Sequence, residues 1–168
     1  MREEEIFGYT LWFKNLEKIS LFGYGSFSLS RAPSSWRLPQ FVTSLIIKTN
    51  VFTLVDIRDI LAQLPNLNNL SLSGYVAGSR VPRGIGTALR GRFGGQLELV
   101  DGPAHEDVMN MLLEIPTGLH FTELQIFWAR KSLLSTIRLA EACGETLVKL
   151  SYSTSVNGTS NFFRSGRF

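Results

Sequence analysis

Six times along the chain, apolar residues occupy the first, fourth and sixth places of a six-residue window, with polar or mixed residues between them. The windows hold Leu16, Ile19 and Leu21; Val42, Leu45 and Ile47; Leu67, Leu70 and Leu72; Leu97 and Leu99 after Gly94; Phe121, Leu124 and Ile126; and Leu147, Leu150 and Tyr152. The fourth places, Ile19 through Leu150, are 26, 25, 27, 27 and 26 residues apart. Alternation over so short a window is the period of a strand, with the fourth and sixth side chains on one side and their neighbours on the other.

The segments between windows carry a different period. Over Phe52–Leu64, Leu54, Ile57, Ile60, Leu61 and Leu64 recur at three and four, which predicts an amphipathic helix closed by Pro65. Glu106–Ile115 predicts a second, with Val108, Met109, Met111, Leu112 and Ile115 inward and Pro116 and Gly118 ending it. Leu133–Cys143 predicts a third, packing Leu134, Ile137, Leu139 and Ala140 and stopping at Gly144. Gly84–Phe93 reads as a weaker helix, because Gly84, Gly86 and Gly91 lower its propensity. Ser26–Gln40 has no period and reads as irregular loop.

Strand, return and strand at a constant spacing in the twenties predict an α/β leucine-rich-repeat solenoid of about six units, with a parallel sheet on one face and helices and loops on the other. Parallel order follows from a repeated right-handed crossover. No unit buries its apolar side alone, so each is stabilised by the next. The expected domain is 1–156, its first unit the least secure. Residues 157–168 are expected to form an irregular tail with no seventh window. An uncapped carboxy-terminal end is then expected to leave the last strand open to self-association.

Composition narrows the class without changing the fold. A chain of 168 residues that is 44% hydrophobic and 18% charged suits one ordinary globular domain. No apolar run approaches the roughly 18 residues of a membrane span, and the opening MREEEIFGYTLWF lacks a signal peptide's basic leader. The expectation is a cytoplasmic or nuclear protein with no membrane contact. A single cysteine, Cys143, excludes an internal disulfide, and its apolar run LLSTIRLAEAC reads as a site for a buried, inert thiol. A net charge of +3 does not itself argue for nucleic acid.

At LPNLNNLSLSG (64–74), GIGTALRGRFGGQLELVDG, EDVMNMLLEIPTGLHFTELQI and LLSTIRLAEACGETLVKLSY, the chain resembles the leucine-rich region of F-box-type proteins of mushroom-forming fungi. The resemblance covers roughly residues 40–152 and is most specific over 84–152. It implies substrate recognition by the repeats, and in complete members an amino-terminal F-box docks a Skp1-like adaptor of a cullin ubiquitin ligase. Residues 1–16 contain no LPxE-like opening, so the expectation is a recognition arm alone.

The outward places of the strands are where a partner would bind. The candidates are Phe22, Ile46, Lys48, Ser71, Glu98, Val100, Gln125 and Phe127, with Phe22, Ile46, Val100 and Phe127 as apolar anchors; the bland reading is scattered surface hydrophobics. Arg80, Arg83, Arg90 and Arg92 flank a glycine-rich stretch with no acidic counterweight in the local sequence, which makes a phosphate or nucleic-acid site the rival reading. A solvated outer segment accounts for them more simply, so nucleic acid is not favoured. Gly84 and Gly86 fall short of a dinucleotide fingerprint, since Leu89 stands where the third glycine belongs.

Asp101, His105, Glu106 and Asp107 contain metal-capable groups, but a turn and a helix first turn explain them. His120 has no partner at a spacing that makes a catalytic set. The sequons at Asn69 and Asn157 read as chance without a secretion signal. The expected function is a non-enzymatic protein-interaction scaffold without cofactor or metal. Polyanion binding through Arg80–Arg92 is the alternative, and a truncated product without independent role is the third reading.

Overall fold

Among the described residues, six strands lie side by side in the order in which the chain makes them. The structure, a computed structural model, describes residues 16–26, 38–77, 84–100, 105–127 and 133–153. The strands are β1 (Lys18–Ser26), β2 (Ser44–Thr53), β3 (Asn69–Ala77), β4 (Phe93–Val100), β5 (Leu119–Phe127) and β6 (Lys149–Ser153). Each pairs with the next in parallel, giving one six-stranded α/β sheet. Among the described residues three helices lie between strands: α1 (Leu54–Leu61), α2 (His105–Leu113) and α3 (Leu133–Ala142), with a short 3-10 turn at Ile85–Ala88.

The fourth places of the windows meet across the whole sheet, Ile19 on Leu45, Leu70, Leu97, Leu124 and Leu150. The sixth places do the same, from Leu21 through Ile47, Leu72, Leu99 and Ile126 to Tyr152. Both rows turn into the core, and their middle members are completely or almost completely buried. Leu150, which the window period sends inward like the others, is only half-buried, as are Leu21 and Tyr152, because they belong to the first and last strands described.

Backbone bonds stitch each unit to its predecessor just before the strands begin. The Glu17 carbonyl accepts from the Thr43 and Ser44 N–H groups, the Thr43 carbonyl from Asn68 and Asn69, and the Thr122 carbonyl from Val148. Thr43, Thr117, Thr122 and Thr146 add hydroxyl donations to Glu17, Gly91, Gly95 and Phe121 carbonyls. Polar backbone entering the sheet is thus satisfied by the neighbour 25 to 27 residues away.

The fourth window, with glycine in place of a leading leucine, is also accounted for. Gly95 pairs with Phe121 but Gln96 pairs with Glu123, leaving Thr122 as a bulge. Gly95 has φ +67, and a Cβ there would lie 2.0 Å from the Asn68 carbonyl oxygen, so only glycine fits. Phe93, fully buried and paired with Leu119, supplies the missing apolar bulk.

The return segments depart from the sequence expectations in three places. Phe52 and Thr53 belong to β2, and the helix starts at Leu54 because Thr53 and Asp56 form a reciprocal capping box. The helix expected over Gly84–Phe93 reduces to the 3-10 turn, and Phe93 opens β4. Gly86 instead permits a close backbone approach to α2, where an added Cβ would sit 1.9 Å from the Met111 carbonyl oxygen. In α3 the inward side is Ser135, Thr136 and Leu139, while Leu134 is 71% exposed and Ile137 45%. The helix is turned this way as Thr136 Oγ1 meets Met109 Sδ at 3.7 Å and Ser135 Oγ lies 3.5 Å from Glu106 Oε1 on α2.

The loop expectation for 26–40 falls mainly on residues outside the described set, and the tail 157–168 with its capping question lies wholly outside it. Among the described residues no helix is long and apolar enough to cross a membrane.

Candidate functional site on the strand face

Strand alternation that sends the leucines inward sends three rows of side chains to the other face. The third-place row is Lys18, Ser44, Asn69, Gln96, Glu123 and Lys149, and the fifth-place row is Ser20, Ile46, Ser71, Glu98, Gln125 and Ser151, each in unbroken register. In the seventh-place row Phe22 meets Lys48, Lys48 meets Ser73, Ser73 meets Val100, and Phe127 meets Ser153.

All eight sequence candidates are on this face, but they do not form one patch. Phe22 is 70% exposed and Lys48 is exposed on β1 and β2, with Ile46 half-buried beside them. Val100 and Phe127 are half-buried on β4 and β5. Between the two apolar groups stand the small polar residues Ser71 and Ser73 of β3. With about 4.8 Å between strands, Phe22 and Phe127 are roughly 19 Å apart across the sheet.

The centre is polar and ordered. Ser71, only 3% exposed, donates its hydroxyl to Glu98 Oε2 at 2.6 Å, a charge-assisted bond between directly paired residues. One strand on, Lys149 Nζ reaches Glu123 Oε2 at 3.1 Å, again across a register pair, and Gln125 Nε2 lies 3.5 Å from the same oxygen. Sequence reading missed both contacts. The signal for them is the repeat period, which makes residues 26 or 27 apart at the same window place into neighbours.

The arginine-rich alternative meets a specific occupant. Glu114, following α2, places Oε1 3.1 Å from the Gly84 N–H and Oε2 3.0 Å from the Gly86 N–H. Those are the amides that would cradle a phosphate. The acidic counterweight absent from the local sequence thus arrives from 28 residues further along. Arg90 turns its Nη1 back onto the Thr87 and Leu89 carbonyls, and Arg92 is exposed. Arg80 and Arg83 lie outside the described residues.

Glu106 and Asp107 occupy the first turn of α2, where negative charge suits the helix dipole. Asp101 and the His105 side chain lie outside the described residues. Burial, and then the neighbouring Glu106 charge, hold the Asp107 carboxyl above its ordinary range. Among the described residues no three metal-capable side chains converge. Cys143 is 1% exposed, and burial pushes its thiol up in pKa, partly offset by a backbone hydrogen bond at Phe121. His120 is half-buried on β5 opposite Gly94.

No protein-family model, characterised protein or solved structure matches the chain. The functional reading therefore rests on the strand face.

Proposed function

We propose that the chain is a leucine-rich-repeat array that recognises a protein partner on its strand face. The model for its role is the recognition arm of an F-box ubiquitin-ligase subunit, working in the cytoplasm or nucleus without cofactor or metal. The repeat reading is supported by the unbroken register of the fourth and sixth places and by the 25-to-27-residue stitching between units. The F-box association is supported by the sequence resemblance over 84–152.

One observation carries the recognition reading: the face opposite the buried leucine rows presents polar rows in register across the sheet, with half-buried Val100 and Phe127 beside them on β4 and β5. Apolar anchors of this kind carry interface energy, and the polar rows beside them supply hydrogen-bonding groups. Polyanion binding is less well supported, because Glu114 fills the Gly84–Gly86 cradle.

The test is photo-crosslinking from a benzoylphenylalanine placed at Ser73 or Phe127, with a third at Val55, exposed on α1, as control. Partner adducts from the strand positions but not from Val55 are expected. Adducts from Val55 alone, or salt-sensitive retention on heparin as the dominant binding behaviour, would sink the reading.

A further inference from the structure

The strand face carries one carboxylate whose charge nothing described compensates. Glu98 sits mid-sheet on β4, between Ser71 and Gln125 in the fifth-place row. Its Oε2 holds the Ser71 hydroxyl, and it takes part in neither of the two ion pairs found among the described residues, Arg58 with Asp59 and Lys149 with Glu123. Glu123, its acidic neighbour on β5, already has its cation.

Covering Glu98 with a partner would strip the remaining water from a half-buried charge. That is costly unless the partner replaces the lost solvation with donors or a countercharge. A hydroxyl alone does not neutralise it. Lys18 and Lys48, both exposed on β1 and β2, repel an incoming cation from that side of the face and favour it over β4. Val100, two residues along β4, and Phe127 on β5 offer apolar surface for the stem of a long basic side chain or its neighbour.

Resting on the reading of this face as a protein-binding surface, we propose that its partner is a polypeptide that places an arginine or lysine on Glu98 and an apolar residue against Val100 and Phe127. The specificity of the face then lies in one charge flanked by two anchors. It does not come from a continuous hydrophobic groove.

A phage library of random dodecapeptides, panned against the full chain, tests this. Peptides whose capture is blocked by Ser73→Arg, and not by Val55→Arg on α1, report the strand face; Phe127→Ala serves in the same role if Ser73→Arg does not fold. The expected peptides carry Arg or Lys beside an apolar residue. Glu98→Gln, which keeps an acceptor for Ser71, should weaken them about tenfold to a hundredfold, and Glu98→Lys should shift selection to acidic peptides. Face-dependent peptides without a basic residue, or affinities unmoved by Glu98→Gln, overturn this proposal and leave the binding face standing. Peptides indifferent to the face variants, or no enrichment at all, overturn the binding reading and this proposal with it.

Discussion

Glu114 Oε2 accepts the Gly86 N–H at 3.0 Å, while the Gly86 α-carbon lies so close to α2 that an added Cβ would be 1.9 Å from the Met111 carbonyl oxygen. One unit is thus latched to the next by a carboxylate bridging two amides and by a glycine contact that admits no side chain. Glu114→Ala removes two charge-assisted bonds and leaves the Gly84 and Gly86 amides without them. It should cost about 1.5–3 kcal/mol, read as a lower urea midpoint at unchanged slope. Gly86→Ala should cost more, since backbone on both sides must move. A Glu114→Ala midpoint equal to wild type would show that water replaces the carboxylate at no expense.

Leucines at the fourth places should differ in worth according to their unit. Leu97 is completely buried with a strand on each side, so Leu97→Ala should cost about 2–5 kcal/mol. Leu150 is half-buried on β6, and Leu150→Ala should cost distinctly less. Denaturant titrations of the two variants decide the matter. Equal losses would mean that the last unit is as enclosed as the fourth.

What was legible in the sequence follows from what period encodes. The spacing from Ile19 to Leu150 was enough to place six parallel strands in order and name the inward row, because a strand's inward positions have no freedom once the neighbour is in register. It did not show that Leu150, at the end of that row, stays half-buried. The α3 face was not legible: Leu134 and Ile137 match the helical period as well as Leu139 does, and only the seating of Ser135 and Thr136 on Glu106 and Met109 shows which side turns inward. The Gly84–Phe93 return departs from its local pattern for a related reason. Its glycines lower helix propensity, but Gly86 also meets the Met111 carbonyl, a partner 25 residues away that local pattern does not reveal. On the strand face the candidate residues were visible, whereas the Ser71–Glu98 and Glu123–Lys149 bonds needed the register to bring them together.

The Glu123–Lys149 pair should contribute little to stability. Its side chains are 38% and 53% exposed, and a pair so open to solvent is worth at most about 1 kcal/mol. Lys149→Ala is therefore expected to move the thermal midpoint by no more than a few degrees, and less in high salt. A large loss that persists in high salt would show that Lys149 acts through its stem and not through its charge.

Asp107 should make the fold less stable as its carboxyl ionises. Burial first, and Glu106 second, raise its pKa in the folded state above the ordinary value of 3.8. Folding therefore favours the protonated form. Its contribution is fully present below pH 3.8 and is lost as pH rises through the folded-state pKa. Asp107→Asn should raise the thermal midpoint at pH 7 relative to wild type, and the gain should shrink as the pH falls through the folded-state pKa and be gone below 3.8. A variant less stable than wild type at pH 7 would mean that the helix-terminal charge outweighs desolvation.

Cys143 offers a probe of how the sheet comes apart. The thiol is 1% exposed and burial raises its pKa, so the folded protein should react slowly with a neutral disulfide reagent such as dithionitrobenzoate. It sits between α3, whose Leu133, Leu134 and Ile137 are exposed, and β6, whose Leu150 and Tyr152 are only half-buried. If the chain is the repeat array proposed above, its stability is a sum of nearest-neighbour contacts, and β6, the last strand described, pairs with a described strand on one side only. Local opening there should cost less free energy than global unfolding. Labelling of Cys143 should accordingly accelerate at urea concentrations well below the midpoint seen by circular dichroism. Leu150→Ala should speed it further, whereas Glu114→Ala should act mainly on the global transition. Labelling that follows the global transition in every variant would mean that all six strands unfold as one cooperative block.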